Sequence, residues 1–210
     1  MYPKITIIDY GIGNVLSIKS KIESLGYDCT LTDDIGVLDN SKKIILPGVG
    51  NIRECMFRLN NLKISNYIID NINKNKFDLL GICVGFQMLF EESDEGNTKC
   101  LSILKGKLQK FSKDNLKKKI PNVGWGKILL NNSNLSLLNN IKNNSFYFTH
   151  SFFLDAKKGP FTKEMNFGST KYFNDVLVSI IESNNVFGVQ FHPEKSNKDG
   201  LILLKNFIEK

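Results

Sequence analysis

The chain has 210 residues, of which 41% are hydrophobic and 10% are aromatic. A chain of this length buries roughly 70% of its extended surface on folding, which predicts one globular domain with a single core. No apolar run approaches the ~18 residues of a membrane-spanning helix, and the first residues have no secretory pattern. These features exclude a membrane protein and predict a cytoplasmic one.

The formal net charge is +7, which raises the question of nucleic-acid binding. The densest group of lysines, between residues 105 and 119, contains one aromatic residue and no arginine. A solvated surface is therefore the better interpretation, and we expect no nucleic-acid partner. The four cysteines and two histidines show no zinc-ligand spacing, so we expect free thiols in a reducing compartment and no metal.

The first half of the chain alternates short apolar runs with helical patterns. This alternation predicts parallel strands, over residues 5–9, 43–46 and 77–83, joined by crossover helices. Asn14 can cap a first helix that stops at Gly26, and a second helix is predicted over residues 64–72. The apolar positions of the first helix recur at helical spacing: Val15, Ile18, Ile22 and Leu25.

After Glu91 the apolar segments become short or alternating, which predicts a largely antiparallel second half. The segments are residues 106–111, 127–130, 146–154, 176–181 and 186–191, followed by a closing helix over about residues 198–208. The predicted fold class is therefore α/β, with a mostly parallel central sheet flanked by helices and antiparallel strands in the C-terminal half.

Cys83 lies between Gly81 and Gly85, where an apolar strand meets an apolar helix. This pattern is typical of a nucleophile elbow, with cysteine in place of serine. The glycines permit the tight turn, and the start of a helix favours the thiolate. A buried structural cysteine is the alternative, but the paired glycines favour a nucleophile.

A thiol nucleophile needs a base, and His150 and His192 are the two histidines of the chain. Pro193 predicts extended backbone at His192, so Glu194 lies on the same side and can orient the imidazole. We therefore expect His192 to be the base. His150 lies in an alternating strand without an adjacent carboxylate, and a structural role is the better interpretation.

Two glycine-containing loops follow predicted strands. In the 47–50 loop, Pro-Gly-Val-Gly, a backbone amide from Val49 or Gly50 could join the Val84 amide in an oxyanion hole, although an ordinary turn is an equal alternative. The other loop contains Gly11 and Gly13, but Leu16 stands where a dinucleotide loop has its third glycine. A phosphate-binding loop for ATP is also missing from the sequence, so we expect no nucleotide cofactor.

These motifs together resemble the class I, or triad, glutamine amidotransferases. Further segments resemble the family of glutaminase subunits of imidazole glycerol phosphate synthases: residues 9–14, 46–50, 124–125 and 192–196. The resemblance runs from about Ile5 to Phe207 and implies one amidotransferase domain over residues 1–210. It also implies a heterodimer with a separate (β/α)8 cyclase that makes imidazole glycerol phosphate and AICAR in histidine biosynthesis.

The resemblance implies a role for each matching residue. Cys83 would be the nucleophile, His192 the base and acid, and Glu194 the residue that orients His192. Glutamine would be held without any cofactor by Gly50, Gln87, Glu95 and the backbone of Ser151 and Phe152, with Glu91, Glu92 and Asp94 as neighbouring alternatives to Glu95. The residues that would face the cyclase are Asn14, Trp125 and Lys195.

The chain departs from the family in one segment. The family commonly has a histidine and an asparagine where this chain has Asn122 and Gly126. A related glutaminase that supplies a cyclase-like partner in bacterial surface-sugar synthesis is therefore an alternative. A peptidase, another amide hydrolase and a non-catalytic binding module are further alternatives.

Overall fold

The computed structural model describes residues 4–112, 116–130, 134–159 and 165–210. Its helices are α1 Val15–Ser24, α2 Ile35–Asp39, α3 Ile52–Asn61, α4 Ile64–Ile72, α5 Val84–Gln87 and α6 Asn197–Glu209. Its strands are β1 Ile5–Ile8, β2 Cys29–Thr32, β3 Lys43–Leu46, β4 Asp78–Ile82, β5 Glu92–Ser93, β6 Thr98–Lys99, β7 Lys107–Lys110, β8 Asn122–Lys127, β9 Leu129–Leu130, β10 Ser145–His150, β11 Phe152–Phe153, β12 Asn166–Tyr172, β13 Asp175–Ser183 and β14 Val186–Val189.

An eight-stranded sheet with the order β2-β1-β3-β4-β14-β13-β12-β9 forms the centre of the fold. The five strands from β2 to β14 are parallel, and the remaining three continue the sheet in antiparallel pairings. The predicted α/β class, with a mostly parallel sheet and antiparallel strands late in the chain, is confirmed. β14 was predicted within the antiparallel half, but it pairs parallel with β4 and antiparallel with β13.

The inner parallel strands are apolar because both faces of the sheet are covered there. β1 and β3 are buried along their whole length, as is β14. Strands that are covered on both faces typically have a continuous run of apolar residues in their sequence. Because the strands run the same way, their carboxyl ends meet at one edge, where ligand sites form in sheets of this type.

The longer helices bury one face each. In α1 the buried positions are Ile18 and Ile22, four residues apart, and Gly26 follows with a φ of 86°, a conformation that favours glycine. Asn14 precedes α1, but its side chain makes no capping hydrogen bond, which corrects the predicted cap. The Asn14 side-chain nitrogen donates instead to Glu194.

Two smaller sheets complete the fold. β8 and β10 form an antiparallel pair, and four short strands form a second sheet in the order β11-β7-β5-β6. An isolated bridge between Tyr147 of β10 and His192 ties the β8–β10 pair to the segment that follows β14. In the ranges that the structure describes, no helix is long and apolar enough to cross a membrane.

Candidate active site

Cys83 occupies a sharp turn between β4 and α5. Its backbone has a φ of 55° and a ψ of −109°, outside the regions that a cysteine prefers. A Cβ added to Gly85 would lie 1.8 Å from the Leu46 carbonyl oxygen, and one added to Gly81 would lie 2.7 Å from the Gly85 oxygen. The two glycines therefore let α5 pack directly on the sheet, and the predicted elbow is present.

His192 and Glu194 form a buried pair after β14. His192 Nδ1 lies 2.8 Å from Glu194 Oε1, and the two side chains are 2% and 0% exposed. Glu194 Oε1 also accepts a hydrogen bond of 3.1 Å from Asn14 Nδ2. The carboxylate thus fixes the imidazole as the sequence predicts, and Asn14 in turn holds the carboxylate.

The other ring nitrogen of His192, Nε2, is buried and makes no hydrogen bond within the described part of the chain. Burial disfavours the imidazolium, but the neighbouring Cys83 and Glu194 outweigh it and raise the pKa of His192 to about 10. A histidine held in its charged form beside a cysteine suits thiolate chemistry.

A cavity of about 520 Å³ opens at the carboxyl edge of the sheet, a volume typical of small-molecule sites. Every residue that the sequence assigned to the site lines it except Glu194, which lies behind His192, and Trp125. The lining residues are Gly13, Asn14, Val49, Gly50, Cys83, Val84, Gln87, Glu95, Pro121, Thr149, His150, Ser151, Phe152, His192 and Lys195.

Of the four acidic residues between positions 91 and 95, Glu95 is the one that lines this cavity. Its two carboxylate oxygens accept hydrogen bonds from Asn51 Nδ2 at 3.2 Å and from the Ile52 amide at 3.0 Å, at the start of α3. The alternatives are engaged elsewhere: Glu91 accepts from the Gly106 amide, and Glu92 and Asp94 pair with Lys107.

Gln87 is buried under the cavity floor. Its Nε2 donates to the Phe152 carbonyl and to Gln190 Oε1, each at 3.0 Å. These bonds tie α5 to the Ser151–Phe152 backbone and to the segment after β14. The side-chain nitrogen of Gln87 is therefore engaged within the protein.

The geometry described so far matches one family of enzymes. The family model for class I glutamine amidotransferases matches residues 6–210. The chain belongs to the class I glutamine amidotransferases. The sequence-based assignment to this family is thereby confirmed.

Curated relatives of this amidotransferase share nearly its full length. The chain is 39% identical to imidazole glycerol phosphate synthase subunit HisH 2 of Methanococcus maripaludis, with 98% of each chain covered. It is 40% identical to imidazole glycerol phosphate synthase subunit HisH of Pyrococcus furiosus, with 97% of each covered. A crystal structure of a glutamine amidotransferase superposes with a TM-score of 0.72 at 14% identity, covering 98% of this chain and 97% of that one, which supports the fold.

His150 has the structural environment that the sequence suggested. Its Nδ1 lies 2.8 Å from the Phe152 carbonyl oxygen, and its Nε2 lies 3.1 Å from Asn122 Nδ2. Nε2 therefore accepts from the amide and Nδ1 donates, which defines a neutral tautomer. Burial agrees with this assignment, because it lowers the pKa of His150 to about 4.

Asn122, one of the two departures from the family pattern, thus contacts His150, a residue of the cavity wall. It lies on β8 directly opposite His150 in the strand register. A neutral amide here satisfies the histidine without adding charge to the site. Gly126, the other departure, packs against Phe148, where an added Cβ would lie 2.8 Å from the ring.

Three residues were predicted to face a partner. Asn14 and Lys195 line the cavity, and Trp125 lies outside it on β8 with 53% of its surface exposed. Leu16 and Val123, which are 71% and 56% exposed, follow Asn14 and Pro121 closely in sequence. Large apolar side chains therefore stand near residues of the cavity mouth, and the interface stays a prediction.

Sequence reasoning missed several residues that shape the site. Asn51 caps α3, accepting from the Arg53 amide at 2.9 Å, and also donates to Glu95. The Thr149 carbonyl oxygen lies 3.8 Å from Cys83 Sγ. Asn51 follows the 47–50 loop and could have been recognised as a cap, whereas the Thr149 contact depends on a strand 66 residues away.

Proposed function

We propose that this chain is the glutaminase subunit of an imidazole glycerol phosphate synthase, releasing ammonia from glutamine for a (β/α)8 cyclase. The observation that carries the proposal is the buried His192–Glu194 pair beside Cys83 at the elbow, next to a cavity of about 520 Å³. The chain requires no cofactor in this reaction. Its substrate is glutamine.

The first half of the reaction is acyl transfer to sulfur. The Cys83 thiolate attacks the side-chain amide carbon of glutamine, and the carbonyl oxygen becomes an oxyanion. The His192 imidazolium then gives its proton to the amide nitrogen as the carbon–nitrogen bond breaks. Ammonia leaves, and a glutamyl thioester remains on Cys83.

The second half returns the enzyme to its starting state. Neutral His192 takes a proton from water, whose oxygen attacks the thioester carbon. The carbon–sulfur bond breaks, glutamate leaves, and the thiolate and imidazolium are restored. Glu194 stays ionised throughout and steadies the imidazolium through its 2.8 Å contact.

We assign the Val84 amide and an amide of the 47–50 loop as the two hydrogen-bond donors to the oxyanion. In the structure the Val84 N–H donates to the Gly48 carbonyl at 3.3 Å. Because a trans peptide holds its C=O and N–H on opposite sides, the Val49 N–H of the same peptide unit points away from Val84. Rotation of that peptide would release the Val84 amide and turn the Val49 amide toward the oxyanion. We therefore expect slow glutamine hydrolysis until a partner favours the rotated form.

Glutamine recognition follows from the charges around the cavity. The Glu95 carboxylate is suited to the substrate ammonium group, and the backbone at Gly50, Ser151 and Phe152 supplies polar atoms along the wall. Gln87 holds the Phe152 carbonyl in place at 3.0 Å and contributes to the pocket mainly through that contact.

The ammonia released here needs a protected path. In bulk water at neutral pH most of it becomes ammonium, which is not a nucleophile. The exposed rim near Asn14, Trp125 and Lys195 is the surface assigned to the cyclase. The names of the relatives favour the histidine-pathway cyclase over a surface-sugar partner.

Glutamate release measured with purified protein tests the proposal. The chain is assayed alone and with the histidine-pathway cyclase of the same organism and its nucleotide substrate. We expect stimulation by the cyclase, and loss of glutamate release by roughly 10³-fold or more in Cys83→Ala. Cys100→Ala is the matched control, because Cys100 is free and does not line the cavity.

Three outcomes would contradict the proposal. Glutamate release that persists in Cys83→Ala would remove the nucleophile from its assigned role. Cleavage of peptides in preference to glutamine would favour a peptidase. Activity that depends on Cys83 but ignores this cyclase would indicate another ammonia acceptor.

A further inference from the structure

Three successive carbonyl groups of the 47–50 loop are each held by a hydrogen bond from a different part of the fold. The Tyr10 hydroxyl donates to the Pro47 carbonyl at 2.7 Å. The Val84 amide donates to the Gly48 carbonyl at 3.3 Å, and the Cys55 thiol donates to the Val49 carbonyl at 3.6 Å. The triad uses neither Tyr10 nor Cys55.

The two side-chain donors are buried beneath the loop. Tyr10 follows β1 and is 3% exposed, and Cys55 lies on α3 and is 0% exposed. Burial raises the pKa of Tyr10 well above its usual value, and it also raises the pKa of Cys55. Both groups therefore keep their protons and remain donors at physiological pH.

The bonds divide the loop into fixed and movable parts. Tyr10 holds the peptide unit before Gly48, and Cys55 holds the peptide unit after Val49. The unit between them, which carries the Val49 N–H, is held only by the 3.3 Å bond from the Val84 amide among the contacts described. Rotation of this one unit changes the direction of the Val49 N–H while its two neighbours stay in place.

We propose that Tyr10 and Cys55 are positioning residues that anchor the two ends of the 47–50 loop, so that the Val49 amide is delivered to a fixed point above Cys83. This inference rests on the proposed glutaminase function. An oxyanion donor acts only when it lies at hydrogen-bond distance from the developing charge. Loosening the flanking peptides therefore reduces the stabilisation of the transition state by the Val49 amide and leaves glutamine binding nearly unchanged.

The primary test is Tyr10→Phe, which keeps the buried ring and removes the hydroxyl. In the cyclase-bound protein we expect kcat for glutamine hydrolysis to fall by roughly ten-fold or more, with KM changed by less than about two-fold. Tyr27→Phe is the matched control. Tyr27 is 5% exposed, its hydroxyl donates to Glu209 at 2.5 Å, and it does not line the cavity, so this variant should keep the wild-type rate.

A second readout separates anchoring from general damage to the site. Alkylation of Cys83 by iodoacetamide displaces iodide at carbon and forms no oxyanion, whereas hydrolysis of glutamine does. Followed by mass spectrometry of the Cys83 peptide, alkylation of Tyr10→Phe should proceed at the wild-type rate. Equal losses of alkylation and hydrolysis would overturn the inference, as would an unchanged kcat.

Cys55 provides an independent variant pair. Cys55→Ala removes the donor to Val49 and should lower kcat, whereas Cys55→Ser keeps a donor and should restore part of it. Equal rates in the two variants would contradict anchoring at this end of the loop. If the wild-type protein had no glutaminase activity, the proposed function itself would be overturned. If Tyr10→Phe instead kept the wild-type kcat, only the anchoring inference would be overturned.

Discussion

At the residue scale, the chemistry of this site depends on one carboxylate oxygen. Glu194 Oε1 accepts from both His192 Nδ1 and Asn14 Nδ2, at 2.8 and 3.1 Å. A buried carboxylate with two donors is oriented firmly, and its charge favours a protonated imidazole. The pH at which kcat falls on the alkaline side should therefore depend on Glu194.

Replacing Glu194 by glutamine tests this dependence. The pKa of His192 is raised to about 10, so the imidazolium that protonates the leaving amide nitrogen persists until the pH approaches that value. Removing the charge lowers the pKa toward its ordinary value near 6.5, and the alkaline fall of kcat should move to lower pH. A pH–rate profile in Glu194→Gln checks this, with Glu182→Gln, another buried carboxylate, as control. An alkaline limb at the wild-type position would contradict the account.

The sharp turn at Cys83 and the contact between His192 and Glu194 were predictable because their information is local. The two glycines around Cys83 and the extended step from His192 to Glu194 can be recognised within a few residues. The contact from Asn14 to Glu194 joins residues 180 positions apart, and that from Tyr10 to Pro47 spans 37 positions. Sequence spacing cannot reveal such contacts, because they depend on which strands become neighbours.

At the element scale, β10 supports the site through its backbone. The Tyr147 carbonyl accepts from the His192 amide at 2.8 Å, and the Thr149 carbonyl oxygen lies 3.8 Å from Cys83 Sγ. His150, at the end of the strand, is held neutral between Asn122 and the Phe152 carbonyl. Protonating His150 would break one of these bonds inside the protein.

The acid stability of the protein should reflect His150. Its pKa is lowered to about 4 in the folded protein and is near 6.5 when unfolded. The unfolded state therefore binds the proton first, and stability is lost as pH falls from about 6.5 to about 4. Between pH 7 and pH 4.5 the loss attributable to this residue is about 2 kcal/mol. Denaturant unfolding measures this loss: between pH 7 and pH 4.5 the free energy of unfolding of His150→Gln should fall by about 2 kcal/mol less than that of the wild type. An equal fall in both proteins would contradict a neutral, buried His150.

The elements predicted from the sequence are those with clear apolar patterns, continuous in the first half of the chain and short or alternating in the second. β3 and α4 match their predicted bounds, β1 is one residue shorter than predicted, and β4 is one residue shorter at each end. β2 and β12 were missed because their sequences, Cys-Thr-Leu-Thr and Asn-Phe-Gly-Ser-Thr-Lys-Tyr, are largely polar. Their strand structure comes from pairing with a neighbour already in the sheet.

At the scale of the whole molecule, Trp125 is an exposed apolar residue of the proposed partner surface. We expect Trp125→Ala to weaken binding of the cyclase by roughly ten-fold or more, because exposed tryptophans often carry much of an interface energy. Titration of the cyclase while following glutaminase stimulation measures this. Phe57→Ala is the control, since Phe57 is 58% exposed but lines a different hollow. Equal titration curves for wild type and Trp125→Ala would place the interface elsewhere.

Transfer of labelled ammonia tests the central claim most directly. The chain and its cyclase are given glutamine labelled with ¹⁵N at the side-chain amide, in buffer containing excess unlabelled ammonium, and the imidazole product is analysed by mass spectrometry. The account predicts a product that carries ¹⁵N despite the unlabelled pool, and no labelled product with Cys83→Ala. Mostly unlabelled product with the wild-type pair, or label that survives in Cys83→Ala, would contradict it.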